Sequence, residues 1–374
     1  MASKDEPPAK RTCLGALNRL SELRRVGRSQ LHVPVLGLGC SPLGELWDDV
    51  PPEEALKALQ EAHRIGFRHF DTAPWYGNGM SEARVGMALN AVAKNGGAFT
   101  VSTKVGRTLD PAPRKQDGPW DGPWHGGYNL QVRYDYGYEA VKQQHRESCL
   151  RMGLPRVDAL AVHDLDAMFG GEEAVQRYLA QLRPPGGMRA LSELKDRGEI
   201  KAVGIGCNPY KFGSKEVCMA AAEMGGLDYI LLAGPYNLLN QEALDDLLPL
   251  CREKGISVFI GAPFASGVLA LGSRSGRRPN YMYEPASDEV LDKVRRIEEL
   301  CDQHGVSLPA AALQFPLFHP RVACVLSGVK SAAEVHRAAD SINAQIPADF
   351  WQDMRQSGLI RRDAPIAGDD TSHL

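Results

Sequence analysis

Short apolar runs alternate with longer amphipathic stretches along almost the whole chain. The runs are VLGLG at 35–39, RHFDT at 68–72, FTVSTKV at 99–105, VDALAVHD at 157–164, KAVGIGCN at 201–208, DYILLAG at 228–234, ISVFIGA at 256–262 and VACVLSG at 322–328. They lack a strict in/out alternation, which predicts strands covered on both faces, as in a parallel sheet. Between them lie predicted helices: PEEALKALQEAHRIG, SEARVGMALNAV, YEAVKQQHRESCLRMG, MRALSELKDRG, SKEVCMAAAEMG, QEALDDLLPLCREKG and SDEVLDKVRRIEELCDQHG, with SAAEVHRAADSI after the last run. Many end in glycine, which readily takes a left-handed C-cap. Several carry Asp or Glu in the first turn, where the helix dipole favours it.

Strand and helix alternate eight times, which fits either an open doubly wound sheet or a closed (β/α)8 barrel. The count of eight favours the barrel. An open dinucleotide-binding sheet wants G-x-G-x-x-G after its first strand. Gly37-Leu38-Gly39 is followed by Cys40-Ser41-Pro42, and Gly204-Ile205-Gly206 fails the same test at Pro209. The expected fold is therefore a single α/β TIM barrel over residues 24–343. A polar tail at 1–23 precedes it, and an extension at 344–374 follows. Two long loops interrupt the alternation, at 107–137 after the third strand and at 263–286 after the seventh. A barrel brings both to its C-terminal face, where active sites lie.

Composition narrows the partners. The 374 residues are 43% hydrophobic and 24% charged with a net charge of -3. That gives no electrostatic footprint for nucleic acid or an acidic membrane surface. No apolar run approaches the roughly 18 residues of a spanning helix. The 8 cysteines are scattered without a C-x-x-C pair, so a reducing compartment is expected rather than a disulfide framework or metal site. The start MASKDEPPAKR lacks the apolar core of a secretory signal, which points to the cytoplasm. Ser372-His373-Leu374 resembles the peroxisomal tripeptide S-K-L and supplies an alternative address. No apolar stripe stands out as a subunit interface, and the oligomeric state stays open.

Four polar residues fall near the C-terminal ends of successive strands. Asp71 ends the second run, and Tyr76 follows it on a turn with Gly77-Asn78-Gly79. Lys104 lies in the third run, and His163 ends the fourth. Each alone has a bland reading: a turn-capping carboxylate, a loop aromatic, a snorkelling lysine, a structural histidine. A barrel converges all four on one rim. A buried ammonium needs a partner, and Asp71 on the neighbouring strand is the obvious one. Lys104 beside Tyr76 is expected to stabilise the phenolate and lower its pKa. Tyr76 then becomes a general acid or base for moving a proton to or from an oxygen. A bound nicotinamide would supply the hydride chemistry that side chains lack.

With these residues in view, the chain resembles the aldo-keto reductases, NAD(P)-dependent (β/α)8-barrel oxidoreductases, over roughly residues 24–343. GFRHFDTAPWYGNGMSEARVGMAL looks like the family's Asp-to-Tyr motif, VSTKVG like its lysine strand and LAVHDLD like its histidine strand. The resemblance implies a catalytic tetrad of Asp71, Tyr76, Lys104 and His163. It also implies that Asn208 holds the nicotinamide carboxamide. ILLAGPYNLLNQEAL, GAPFASGVLALG and the Trp-containing loop after VGR resemble the aldose 1-dehydrogenase group. That group covers L-fucose, D-threo-aldose and L-galactose dehydrogenases and a pyridoxal dehydrogenase, and implies oxidation of an anomeric hydroxyl to a lactone.

Two departures concern the nicotinamide pocket. Ala233 stands where many members have Gln, and Gly261 where many have a stacking Tyr. Near the eighth strand Lys330 is retained, but Glu334 occupies the position of a phosphate-clamping Arg. NAD is therefore expected over NADP, with NADP as the alternative. Gly328, Val329 and Ser331 are expected to offer backbone N–H groups to the pyrophosphate. Trp75, Trp120 and Trp124 are candidates to face a sugar, with His163 on its oxygen. Arg274, Arg277 and Arg278 read as a solvated loop cluster. Two other functions fit the same family: an aldehyde or ketone reductase, and a non-catalytic potassium-channel regulatory subunit. The expected partner is a small sugar or carbonyl compound.

Overall fold

The computed structural model describes residues 18–111, 124–165, 167, 170–208, 210 and 213–374. Eight parallel strands form a closed barrel: β1 Leu36–Gly39, β2 His69–Asp71, β3 Thr100–Val105, β4 Ala159–Val162, β5 Ala202–Cys207, β6 Tyr229–Ala233, β7 Ser257–Gly261 and β8 Val322–Gly328. Each strand pairs with the next in sequence. Closure comes from β8 on β1, with Val325 opposite Leu36 and Gly328 opposite Gly39. The eight predicted strands are all present, in the predicted order.

The outer helices are α1 Pro52–Ile65, α2 Met80–Lys94, α3 Tyr138–Met152, α4 Gly171–Leu182, α5 Gly187–Asp196, α6 Ser214–Met224, α7 Leu247–Lys254, the single turn α8 Val268–Leu271, α9 Asp288–His304, α10 Leu308–Gln314, α11 Ala332–Asn343 and α12 Ala348–Gln356. Three longer ones are absent from the sequence reading. α4 buries Ala174, Val175, Leu179 and Leu182 at helical spacing, but Gly170-Gly171 and Pro184-Pro185 flank it and give it the look of a loop. α10 is short, with Pro309 in its first turn and Pro316 just past its end. α12 lies in the segment read as an extension, where it buries Phe350, Trp351 and Met354. Rings of Phe315 and Phe318 meet Trp351 there, so apolar burial ties this helix to the barrel wall.

An antiparallel hairpin of Leu23–Arg25 and His32–Pro34 precedes the barrel. Its Val26, Leu31 and Val33 are fully or almost fully buried with Tyr229, Phe259 and Cys324 inside the barrel. The Gly27 N–H donates to Ser257 Oγ at 2.8 Å, and Arg24 donates to the Val322 carbonyl at 2.7 Å. Ser257 and Val322 begin β7 and β8, so the hairpin plugs the N-terminal mouth. The C-terminal mouth is left for the loops. There, the stretch after β3 is not only a loop: Arg107–Pro111 pairs with Leu130–Tyr134 in an antiparallel hairpin. Its Gly/Pro-rich middle hides this in the sequence. Among the described residues no helix is long and apolar enough to cross a membrane.

Candidate active site

Asp71, Tyr76, Lys104 and His163 meet at the C-terminal mouth. Asp71 ends β2 and Lys104 lies one residue from the end of β3, with its side chain 1% exposed. Lys104 Nζ donates to Asp71 Oδ1 at 2.7 Å and to the Thr72 carbonyl at 2.8 Å. It also hydrogen-bonds the Tyr76 hydroxyl and lies 4.7 Å from that ring's centroid. An ammonium has three N–H donors, and all three have partners. Ser102 Oγ, on the same strand, donates to the other Asp71 oxygen at 2.6 Å. His69 Nε2 lies 3.3 Å behind that hydroxyl.

The turn carrying Tyr76 needs its glycine. A Cβ on Gly77 would meet the Gly44 carbonyl oxygen at 2.6 Å, and Gly77 has φ +61. Backbone therefore packs directly on backbone, pinning Tyr76 against the loop after β1. Ser81 does not cap α2, whose N-cap is Gly79. Its hydroxyl instead donates to the Cys40 carbonyl at 2.7 Å and meets Thr72 Oγ1 at 2.9 Å. The two loops are stitched together beneath the tyrosine.

Electrostatics correct one expectation. Burial pushes the Tyr76 phenol up to about 12; Lys104 pulls the other way but does not win. For Lys104, burial opposes the charge, while Asp71 and Tyr76 outweigh it and raise the ammonium's pKa. His163 is driven well below the usual histidine range by burial, then by the Arg107 and Lys104 cations, so its ring is neutral. Its Nε2 lies 3.2 Å from Asp164 Oδ2. Its Nδ1 is buried with no hydrogen-bond partner among the described residues, so Nε2, beside Asp164, is the nitrogen left to face the cavity.

Two residues of this centre were not singled out in the sequence. Arg107, 1% exposed, pairs with Asp164 at 2.9 Å and stacks 4.0 Å over the Trp75 ring. Asp164 also receives the Asn208 side chain. Burial raises the Asp164 pKa, opposed first by Arg107. The usable signal was position, since Asp164 directly follows His163 and Arg107 lies two residues past β3.

A cavity of about 330 Å³ opens above these groups, lined by Trp75, Trp124, Tyr76, His163, Asp164 and Asn208 among others. Trp124 packs edge-on against Trp75 at 5.1 Å and tilts against Tyr76 at 5.6 Å. Its buried indole N–H has no partner among the described residues. Trp120 lies outside the described residues. The cavity shares Tyr76, Ala233, Trp47 and Tyr283 with a larger groove of about 580 Å³, which runs past Gly39, Gly261, Ser327 and Gly328 to Glu334. Ala233 and Gly261 are opposite one another on β6 and β7, and a Cβ on Gly261 would meet Leu231 at 2.9 Å. Ser327 Oγ is buried without a partner among the described residues. Val329 is buried beside it.

At the far end, Ser331 caps α11, its hydroxyl accepting from the Glu334 N–H at 3.3 Å. Glu334 accepts in turn from the Lys330 backbone N–H at 2.8 Å, and the Lys330 ammonium pairs with Asp48. Arg337, not singled out earlier, also lines the groove. Arg274 and Arg278 pair with Asp302 and Asp288, each at 2.7 Å. Among the described residues no cluster of His, Cys, Asp and Glu could hold a metal ion.

A closed eight-stranded barrel with a buried Tyr–Lys–Asp cluster and a groove at its C-terminal mouth defines an oxidoreductase of the aldo-keto type. Residues 35–358 match the Aldo/keto reductase family, and the chain belongs to it. It is 36% identical over 348 residues to a pyridoxal 4-dehydrogenase of Microbacterium luteolum, covering 91% of this chain and 99% of the relative. It is 33% identical to a D-threo-aldose 1-dehydrogenase of a Pseudomonas species, covering 88% of this chain and 95% of the relative. An L-galactose dehydrogenase of Arabidopsis thaliana is 29% identical, with 84% of this chain and 86% of the relative covered. Among solved structures, the holo form of an aldo-keto reductase from Bacillus halodurans superposes with a TM-score of 0.67 at 23% identity, covering 94% of this chain and 99% of that one. Oxidoreductases of this family work with nicotinamide cofactors.

Proposed function

We propose that the protein is a nicotinamide-dependent dehydrogenase that oxidises the anomeric hydroxyl of a cyclic aldose to a lactone. The observation that carries this reading is the Tyr76 hydroxyl, hydrogen-bonded to a Lys104 whose other donors are fixed by Asp71 and Thr72. Tyr76 takes the proton of the substrate hydroxyl. Lys104 stabilises the resulting phenolate, and Asp71 keeps the ammonium in place. His163, neutral, has Nε2–H to donate to the substrate oxygen and hold it while Tyr76 takes the proton. Trp75 and Trp124 wall the cavity, exclude water and give a sugar ring flat apolar faces.

The groove fits a nicotinamide dinucleotide: its floor is free of bulky side chains at Gly39, Ala233, Gly261 and Gly328, and the buried Ser327 hydroxyl waits for a partner. When bound, the oxidised nicotinamide supplies the hydride acceptor. Asn208 would hold its carboxamide, Ala233 and Gly261 would leave room for its ring, and Gly328, Val329 and Ser331 would receive the pyrophosphate at the start of α11. Glu334 favours NAD, since a carboxylate repels a 2′-phosphate and accepts from a ribose hydroxyl. Lys330 does not offset this, because Asp48 occupies its ammonium.

Pyridoxal is the second substrate reading, favoured by the 36% identity to a pyridoxal 4-dehydrogenase. Pyridoxal carries an aldehyde beside a hydroxymethyl group and closes to a cyclic hemiacetal. The reacting carbon is then of the same kind as in an aldose. Initial rates of nicotinamide reduction with L-galactose, L-fucose, D-arabinose and pyridoxal test both readings. Absence of turnover with all four, from protein that binds the cofactor, would leave carbonyl reduction as the activity to assay.

A further inference from the structure

The substrate cavity holds one charge that the proposed reaction does not use. Tyr76, Lys104 and His163 serve proton transfer, and Asn208 serves the cofactor. Asp164 also lines the cavity, 8% exposed. It is a non-glycine residue with φ 34, a conformation that costs roughly 1–3 kcal/mol and concentrates at functional sites. Its donors include Arg107 at 2.9 Å and the Asn208 side chain. A carboxylate offers about four acceptor positions, and this one lines the cavity. A second observation points to a ligand. The Trp124 indole N–H is buried, lines the same cavity and has no partner among the described residues. An acceptor and a donor set among aromatic walls suit a ring bearing several hydroxyls.

We propose that Asp164 determines substrate specificity by accepting a hydrogen bond from the hydroxyl on the ring carbon next to the reacting carbon, the 2-hydroxyl of an aldose. The inference rests on the aldose dehydrogenase reading. The reacting oxygen must reach Tyr76 and His163, whose rings lie edge-to-face 5.7 Å apart. Asp164 Oδ2 lies 3.2 Å from Nε2 of the same His163, the nitrogen that faces the reacting oxygen. A vicinal hydroxyl stands about one hydrogen-bond length from the reacting one, which brings it to the Asp164 carboxylate. Arg107, packed on Trp75, opposes the burial that raises the Asp164 pKa and holds the carboxylate in place. A site built to bind a hydroxyl discriminates strongly against the analogue lacking it, because the buried acceptor is left unpaired.

The test compares D-arabinose with 2-deoxy-D-ribose, which is the same pentose without its 2-hydroxyl. If another aldose turns over faster, that sugar and its 2-deoxy analogue are used. The ratio of kcat/KM values is measured for the wild type, Asp164→Asn and Asp164→Ser, with cofactor binding followed by protein fluorescence. The wild type is expected to prefer the parent sugar by about tenfold to a hundredfold. The preference should shrink at least about tenfold in Asp164→Ser and by less in Asp164→Asn, which can still accept. The change in ratio cancels intrinsic differences between the sugars and any general loss of activity. An unchanged ratio overturns the inference. So do variants that bind cofactor but turn over neither sugar, since Asp164 then only positions His163. A wild type that oxidises no aldose overturns the dehydrogenase reading itself, and the inference with it.

Discussion

Lys104 Nζ lies 2.7 Å from Asp71 Oδ1, with side chains 1% and 4% exposed. This is a buried ion pair, and its energetics are asymmetric. Removing one partner strands the other charge in the interior, at a cost of about 3–5 kcal/mol. Lys104→Met should therefore lower the denaturation midpoint as well as the turnover. The turnover loss should reach at least about a hundredfold, the usual scale for a general acid/base group. Asp71→Asn should act in the same direction. Urea unfolding alongside initial rates checks both, and a Lys104→Met protein of unchanged stability would refute the pairing.

Burial sets the phenol of Tyr76 near 12 despite its lysine neighbour. Oxidation needs the phenolate as base, so kcat/KM for a sugar should climb about tenfold per pH unit through the alkaline range. No plateau is expected below about pH 9. Carbonyl reduction needs the protonated phenol and should stay flat over the same range. Loss of the Lys104 cation removes the charge that opposes burial, and Lys104→Met should shift the oxidative limb higher still. A wild-type plateau at neutral pH would contradict this assignment.

The barrel was legible because eight runs without alternation mark strands buried on both faces. The same run ends carry Asp71, Lys104 and His163 to one mouth, and the Gly77 turn adds Tyr76. What stayed hidden depends on contacts between distant segments. The Arg107–Asp164 pair joins residues with no shared motif. The hairpin of Arg107–Pro111 with Leu130–Tyr134 disappears behind a Gly/Pro-rich middle. α4 keeps its helical spacing, but its glycine and proline neighbours mask it. The direction of the Tyr76 shift was also hidden, because a sequence displays the lysine but not the depth of burial.

Burial also holds His69 and His319 down, each to about 4, with the Arg321 cation contributing at His319. Unfolding returns these rings to their ordinary value near 6.5, where they take up protons that the folded state refuses. Stability should be full above pH 6.5 and decline as pH falls toward 4. The decline should be up to about 1.4 kcal/mol per unit for each ring. Denaturant midpoints from pH 7 to 4.5 would show it, and His319→Gln should flatten the slope. A midpoint independent of pH would rule it out.

Glu334 sits at the end of the groove, bonded to the Lys330 N–H. NAD should give the higher kcat/KM. Glu334→Gln removes the repulsion of a 2′-phosphate and should move the NADP/NAD ratio upward by about twofold to fivefold, the scale of one exposed charge contact. Steady-state kinetics with both cofactors decide the matter. A ratio that does not move would dissociate Glu334 from cofactor choice.

The most direct measurement is the initial rate of nicotinamide reduction at mildly alkaline pH, with L-galactose, L-fucose, D-arabinose and pyridoxal, for the wild type beside Tyr76→Phe. Phenylalanine keeps the ring against Trp124 and His163 but removes the hydroxyl bonded to Lys104. The account predicts turnover of at least one cyclic hemiacetal by the wild type, and a fall of at least about a hundredfold in the variant while cofactor binding persists. Equal rates in the two proteins would contradict the claim that Tyr76 moves the proton.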